Sequence, residues 1–149
     1  MHTSAPGERE CLAVELRDHG LRVTGPRLAV LAHLRSDRSH PTPETVHAAL
    51  RPELGALSLS TVYETLEAFT RAGLCRRVAT RTTAMRIDGT ADDHDHAVCR
   101  GCGTIMDVRR ASPLRAPRPV DLPRGVELIS SHIEYEVICA PCRQEADGA

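Results

Sequence analysis

Four runs of apolar residues at helical spacing fill the first half of the chain, and turn chemistry separates them. From Glu8 to His19, Leu12, Val14 and Leu16 offer a face to bury, and Gly20 stops the run. Thr24 is placed to cap a second helix with Pro26 in its first turn, and Leu28, Leu31 and Leu34 continue it. Thr42 followed by Pro43 opens a third, with Val46 and Leu50 on one side. Ser60 or Thr61 caps the fourth, where Thr61-x-x-Glu64 matches a capping box. Val62, Leu66 and Phe69 form its stripe, and Gly73 stands where a glycine ends a helix. Leu74–Thr80 and Thr83–Asp88 then alternate as a short hairpin.

Beyond residues 88–93 the pattern changes. His96–Asp107 and Val126–Cys139 read as strands. Residues 110–125 between them hold four prolines and are expected to be irregular, with at most a short helix.

Helix, short connection, helix, hairpin is the order of a winged helix-turn-helix, in which the second helix presents its outer face to the major groove. Ser60, Thr61, Tyr63 and Thr65 are the expected base-side residues. Arg76, Arg77, Arg81 and Arg86 flank the hairpin, where phosphates would pass. A small helical domain with a solvated polar face would show the same pattern.

Composition narrows the picture. The chain has 149 residues, 41% hydrophobic, with no Trp and one Phe, so any core is aliphatic. All 19 basic residues are Arg. The net charge of −1 hides an asymmetry: residues 1–86 carry twelve Arg against nine acids, and 87–149 carry seven against eleven. The basic half is the one with the helix-turn-helix. No apolar stretch is long enough for a membrane span and no secretory signal is visible, so a cytoplasmic protein with reduced thiols is expected.

The pair Cys99-x-x-Cys102 and Cys139-x-x-Cys142 is the strongest chemical signal. Four thiolates satisfy a tetrahedral zinc and leave no open position. Gly101 and Gly103 permit the first turn, and Pro141 stiffens the second. Two disulfides or redox motifs are the alternatives; reduced thiols and the lack of a thioredoxin-like pattern weigh against them. Cys11 and Cys75 stand outside the set and read as small buried hydrophobes.

Upstream lies Asp92-Asp93-His94-Asp95-His96, with Asp88 and Asp107 on either side. In a strand His94 and His96 share a face, as two ligands of one ion would. Imidazole with carboxylate suits Fe(II), Mn(II), Zn or Co. A solvated acidic loop is the competing reading.

These motifs together resemble the ferric uptake regulator family. The resemblance is carried by HDHAVCRGCGTIMDV with the late second CxxC, by LRVTGPRLAVL (21–31), by SHPTPETVH (39–47) and by SLSTVYETLEAF (58–69), over about residues 10–142. It implies an α+β fold: an N-terminal winged helix-turn-helix domain over 8–88 and a small α/β dimerisation domain with structural zinc over 93–142. Residues 1–7 and 143–149 would be flexible ends. It implies zinc on Cys99, Cys102, Cys139 and Cys142. It also implies a regulatory Fe(II) or Mn(II) on His40, Asp88, His94, His96 and Asp107. Asp107 resembles the peroxide-sensing branch, since iron-sensing members commonly have Glu there; in that branch His40 and His94 would be oxidised. The implied partners are double-stranded DNA with an inverted-repeat operator and a second copy of the chain. An iron- or zinc-responsive regulator of metal uptake is the near alternative. A metal hydrolase lacks a nucleophile constellation here, and a zinc-ribbon interaction module would have no use for His40.

Overall fold

The structure, a computed structural model, describes residues 6–78, 84–90, 94–109, 122–127 and 133–147. The chain forms two compact units, Met1–Ala91 and Asp92–Ala149.

The first unit opens with α1 (Pro6–Asp18), α2 (Gly25–Ser36), α3 (Pro43–Leu50) and α4 (Leu59–Ala72). An antiparallel pair follows, β1 (Arg76–Val78) and β2 (Arg86–Asp88), in the register Arg76↔Asp88, Arg77↔Ile87, Val78↔Arg86. Residue 81 and its neighbours between the strands lie outside the described residues, so the reading of Arg81 does too. The caps show why the helices start where they do. Thr24 accepts from the Arg27 N–H with Pro26 in the first turn, and Thr42 accepts from the Thr45 N–H with Pro43 beside it.

The fourth helix departs from the expected start. Its cap is Ser58, whose Oγ accepts from the Thr61 N–H at 3.1 Å, and Ser60 and Thr61 lie inside the first turn. Three hydroxyl residues in Ser58-Leu59-Ser60-Thr61 offer the same chemistry, and the earliest leaves Thr61 at the position whose N–H needs an acceptor. The helix ends as expected at Gly73, at φ 78° in the left-handed region, whose N–H donates to Phe69 and Thr70.

One core fills this unit. Leu16 of α1, Val30, Leu31 and Leu34 of α2, Val46 of α3, Val62, Leu66 and Phe69 of α4 and Ile87 of β2 are all essentially inaccessible. Val14 does not join them and is 45% exposed, because Leu12, Ala13 and Leu16 already occupy the inner face of α1. With no tryptophan available, Phe69 is the largest side chain buried there.

Among the described residues, the second unit holds a three-stranded sheet in the order β4-β3-β5. The central strand β3 (Asp95–Cys99) runs antiparallel to β4 (Ile105–Val108) and parallel to β5 (Glu134–Val137); α5 (Ala140–Asp147) follows. The expected strand His96–Asp107 is therefore a hairpin. Cys99 N–H donates to Thr104 and Gly103 N–H donates back to Cys99, both at 2.9 Å, and this turn returns Cys102 to the side of Cys99. Of the expected strand Val126–Cys139, only Glu134–Val137 is extended among the described residues. Residues 143–147, expected to be a loose end, belong to α5, which starts with Pro141 in its first turn. At the other end the first helix begins at Pro6, two residues before the expected Glu8. The proline-rich reading of 110–125 lies, apart from 122–125, outside the described residues. No described helix is long and apolar enough to cross a membrane.

Candidate metal centres and nucleic-acid interface

The strand β3 feeds both donor clusters of the second unit. At its end, the Cys99–Cys102 turn meets Cys139 and Cys142 at the start of α5, with all four sulfurs within 4.8 Å of one another. The structure places no disulfide among them. Cys102 Sγ and Cys139 Sγ are 3.6 Å apart, beyond a covalent bond and near the separation of about 3.8 Å that follows from zinc–sulfur bonds of about 2.3 Å in a tetrahedron. Gly101 makes the approach possible: a Cβ there would lie 2.9 Å from Cys142 Sγ.

Electrostatics points the same way. Backbone N–H groups of Cys102 and Cys139 aim at Cys99 and draw its thiol down to about 6. The Thr104 hydroxyl lowers Cys102. Hydrogen bonds to the Cys139 and Cys102 sulfurs push Cys142 up to about 12. Four sulfurs this close cannot all be thiolates without a cation between them, and two of the four thiols, Cys99 and Cys102, are already drawn towards the thiolate by their surroundings. The tetrad's donor set fits zinc, complete and closed.

The second cluster lies at the other end of β3. His94 Nε2 and His96 Nε2 are 3.1 Å apart, and Asp107 Oδ1 is 3.3 Å from the first and 3.9 Å from the second. The rings meet edge to face at 4.7 Å. Strand alternation puts His94 and His96 on one side, and the register His96↔Asp107 brings the carboxylate across from β4. Both imidazoles are buried, whereas the Asp107 side chain keeps 28% exposure. Neighbouring ligands of an octahedral ion, with bonds of about 2.1 Å, lie about 3 Å apart, so the three donors fit one ion and leave further positions open. Asp95, between the histidines in sequence, faces the other way; it is buried and accepts the Ile133 N–H at 3.1 Å, which seats the entry to β5.

His40 and Asp88 belong to the first unit. His40 sits between α2 and α3 at φ 54°, the one described non-glycine residue in the left-handed region, and it precedes Pro41. That backbone state costs about 1–3 kcal/mol and persists only where the surroundings enforce it. Here they do: Asp37 accepts the Ser39 N–H at 2.8 Å, Arg86 donates to the His40 carbonyl at 3.2 Å, and Ile87 N–H donates to Pro41 at 3.1 Å. The His40 side chain is 3% exposed. Asp88, at the end of β2, is 1% exposed; its Oδ2 accepts from Arg76 at 3.0 Å and its Oδ1 from the Thr90 N–H at 2.8 Å.

On α4, Ser60 and Tyr63 are exposed and Thr61 is half-buried. Thr65 is not available to a base: it is 5% exposed and lies on the inner stripe, one helical step from Val62 and Phe69. The Tyr63 hydroxyl donates to Glu44 of α3 and ties the two helices at their outer edge; this bond holds the Glu44 carboxyl below its ordinary value. Arg77 is exposed on β1, and Arg76 is half-buried through its bond to Asp88.

A second feature of the first unit has no local sequence signature. The Arg35 guanidinium donates to the carbonyls of Leu74 and Gly89 and to the Glu15 carboxylate, and Arg38 donates to Thr90 at 2.8 Å. These bonds fix the segment after β2 to the end of α2. Arg35 occupies a polar position on an amphipathic helix, which is also where a solvated arginine would be.

The model of the ferric uptake regulator family matches residues 18–136. The peroxide-responsive repressor PerR of Staphylococcus epidermidis is 26% identical over 140 residues, covering 94% of this chain and 93% of that protein. The peroxide operon regulator of Bacillus subtilis is 28% identical over 130 residues, with 87% and 90% covered. Among solved structures, the ferric uptake regulator of Pseudomonas aeruginosa with manganese superposes with a TM-score of 0.71 at 31% identity, over 87% of this chain and 98% of that one.

Proposed function

The chain belongs to the ferric uptake regulator family, and on that premise we propose that it is a metal-dependent transcriptional repressor that binds an inverted-repeat operator as a homodimer and responds to hydrogen peroxide. The observation that carries the reading is the pair of chemically distinct donor clusters on one strand. The cysteine tetrad is closed and suits a structural zinc. The cluster of His94, His96 and Asp107 is open and suits Fe(II) or Mn(II).

His40 and Asp88 supply the remaining ligands in this reading. Support comes from the family resemblance of SHPTPETVH and from the strained, enforced backbone at His40, a state found disproportionately at functional positions. Ligands drawn from both units give the protein its switch, because the ion then favours one arrangement of the reading helices over others. Ser60, Thr61 and Tyr63 at the start of α4 would meet base edges, and Arg77 a phosphate.

Fe(II) held by these residues would activate peroxide as the oxidant: one peroxide oxygen would leave as water and the other would pass to a ligand ring, a net two-electron oxidation of that imidazole. His40 and His94 would accept one oxygen atom on an imidazole carbon, which weakens each as a donor and releases the operator, inducing oxidative-stress genes such as catalase. Asp107 favours this branch. An iron- or zinc-responsive repressor of metal-uptake genes is the second reading, favoured by the similarity to a ferric uptake regulator solved with manganese.

Peptide mass spectrometry of the Fe(II) form after dilute peroxide separates the two. One added oxygen on the peptide with His40 or His94, with DNA affinity lost in parallel, is the expected result. An unmodified protein that still binds DNA would leave the metal-uptake reading in its place.

A further inference from the structure

Glu64 does not take the role its spacing suggests. Thr61-x-x-Glu64 matches a capping box, but the cap of α4 is Ser58, whose Oγ meets both the Thr61 N–H and, at 2.8 Å, the Thr61 hydroxyl. Glu64 then lies too far along the helix to reach the cap. Its place is on the outer face, where Ser60, Glu64, Glu67 and Arg71 recur at helical spacing, opposite the buried Val62, Leu66 and Phe69. Its neighbours there are engaged: Glu67 accepts from Arg71 at 3.3 Å, and Ser60 Oγ lies 2.9 Å from Ser58 Oγ. The exposed Glu64 carboxylate has no hydrogen bond and no ion pair among the described residues. It borders a surface cleft shared with Arg22, Thr24 and Arg27 at the start of α2, where the Arg27 guanidinium is turned to the Arg22 carbonyl at 3.1 Å.

A carboxylate on a helix that enters the major groove is repelled by the phosphates on either side. It weakens binding to every sequence unless the bases offer it a donor. The groove offers the amino groups of adenine and cytosine. Adenine sets an acceptor, N7, beside its amino group, and this would face the second carboxylate oxygen lone pair to lone pair. Cytosine presents its amino group with no acceptor of its own beside it. We propose that Glu64 is a specificity-determining residue that accepts a hydrogen bond from a cytosine amino group in the operator. Arg22 and Arg27, across the cleft, offset part of the phosphate repulsion. The inference rests on the reading of α4 as the helix that meets DNA, and it names the base that this helix selects.

The test uses the full-length zinc-loaded protein with Mn(II) and a duplex library of random sequence. Bound sites are sequenced, and affinity for the enriched site is compared with that for its single-base-pair variants. Wild type should enrich a C·G pair at one position of each half-site and discriminate there by about tenfold, the scale of one base-edge contact. Glu64→Gln offers a donor and an acceptor in place of two acceptors, so it should change that position to A·T and leave the others as in wild type. Glu64→Ala should lose the preference at that position alone. Retained preferences elsewhere show that both variants are folded. If both variants enrich the wild-type sequence at every position, Glu64 reads no base, whatever happens to overall affinity, and the reading of α4 stands. If wild type enriches no sequence, that reading fails and the inference falls with it.

Discussion

The cysteine tetrad and the His94–His96–Asp107 cluster start from the same strand and solve opposite problems. In the tetrad every donor is local to one unit, two tight turns bring the sulfurs together, and glycine at position 101 removes the atom that would keep them apart. Four soft anions complete a tetrahedron and leave no place for a fifth group. The second cluster has three harder donors, a partly exposed carboxylate and open positions. A closed set holds an ion as part of the fold; an open set holds it conditionally, and conditional binding is what a sensor needs. The difference lies in donor chemistry and completeness more than in burial, since Cys102 is exposed while both histidines are buried.

The largest effect should come from breaking the closed site. Apparent zinc binding energies of structural sites run to about 10–16 kcal/mol, and the described sheet of the second unit is built from short strands of four or five residues. Cys142→Ser should therefore lose zinc and the fold of the second unit while the helices of the first persist; zinc stoichiometry and circular dichroism report it. The first unit depends on no ion in this account, which Phe69→Ala checks. That change should cost about 3–5 kcal/mol in thermal or denaturant unfolding, equally with and without Mn(II). His96→Ala should act on the open site alone: Mn(II) affinity falls about a hundredfold, or about 2.7 kcal/mol, with zinc retained. A fall in zinc content of that variant would show that the two clusters are not independent.

The smallest effect concerns the contact between α3 and α4. Tyr63 holds the Glu44 carboxyl below its ordinary value. A carboxyl depressed in the folded state adds stability above its unfolded value and loses it as pH falls through the folded one. Tyr63→Phe should move the Glu44 titration up towards the ordinary value in an NMR pH series, with little change in stability at neutral pH.

Much of this was legible in the residues because local rules dominate there. Thr24, Thr42 and Gly73 end helices through contacts within a turn, and the CxxC spacing fixes a ligand pair before any fold is known. Where residues offer equivalent chemistry, local rules do not choose: Ser58, Ser60 and Thr61 all carry a hydroxyl that can cap α4, and the structure uses Ser58. Thr65 reads as polar, yet helical spacing from Val62 and Phe69 takes it inward. The hairpin inside 96–107 is masked in the sequence because CRGCG supports a ligand turn without announcing a strand end, yet bringing Cys102 back to Cys99 requires the chain to reverse. The Arg35 and Arg76 bonds join segments far apart in sequence, and nothing local distinguishes those arginines from solvated ones.

The central claim is that an ion at the open site governs DNA binding through a ligand from the first unit. The most direct measurement is the DNA affinity of wild type and His40→Ala, each zinc-loaded, titrated with Mn(II). The account predicts a large gain in affinity with Mn(II) for wild type and little for His40→Ala, with zinc content equal. Equal gains in the two proteins would contradict it.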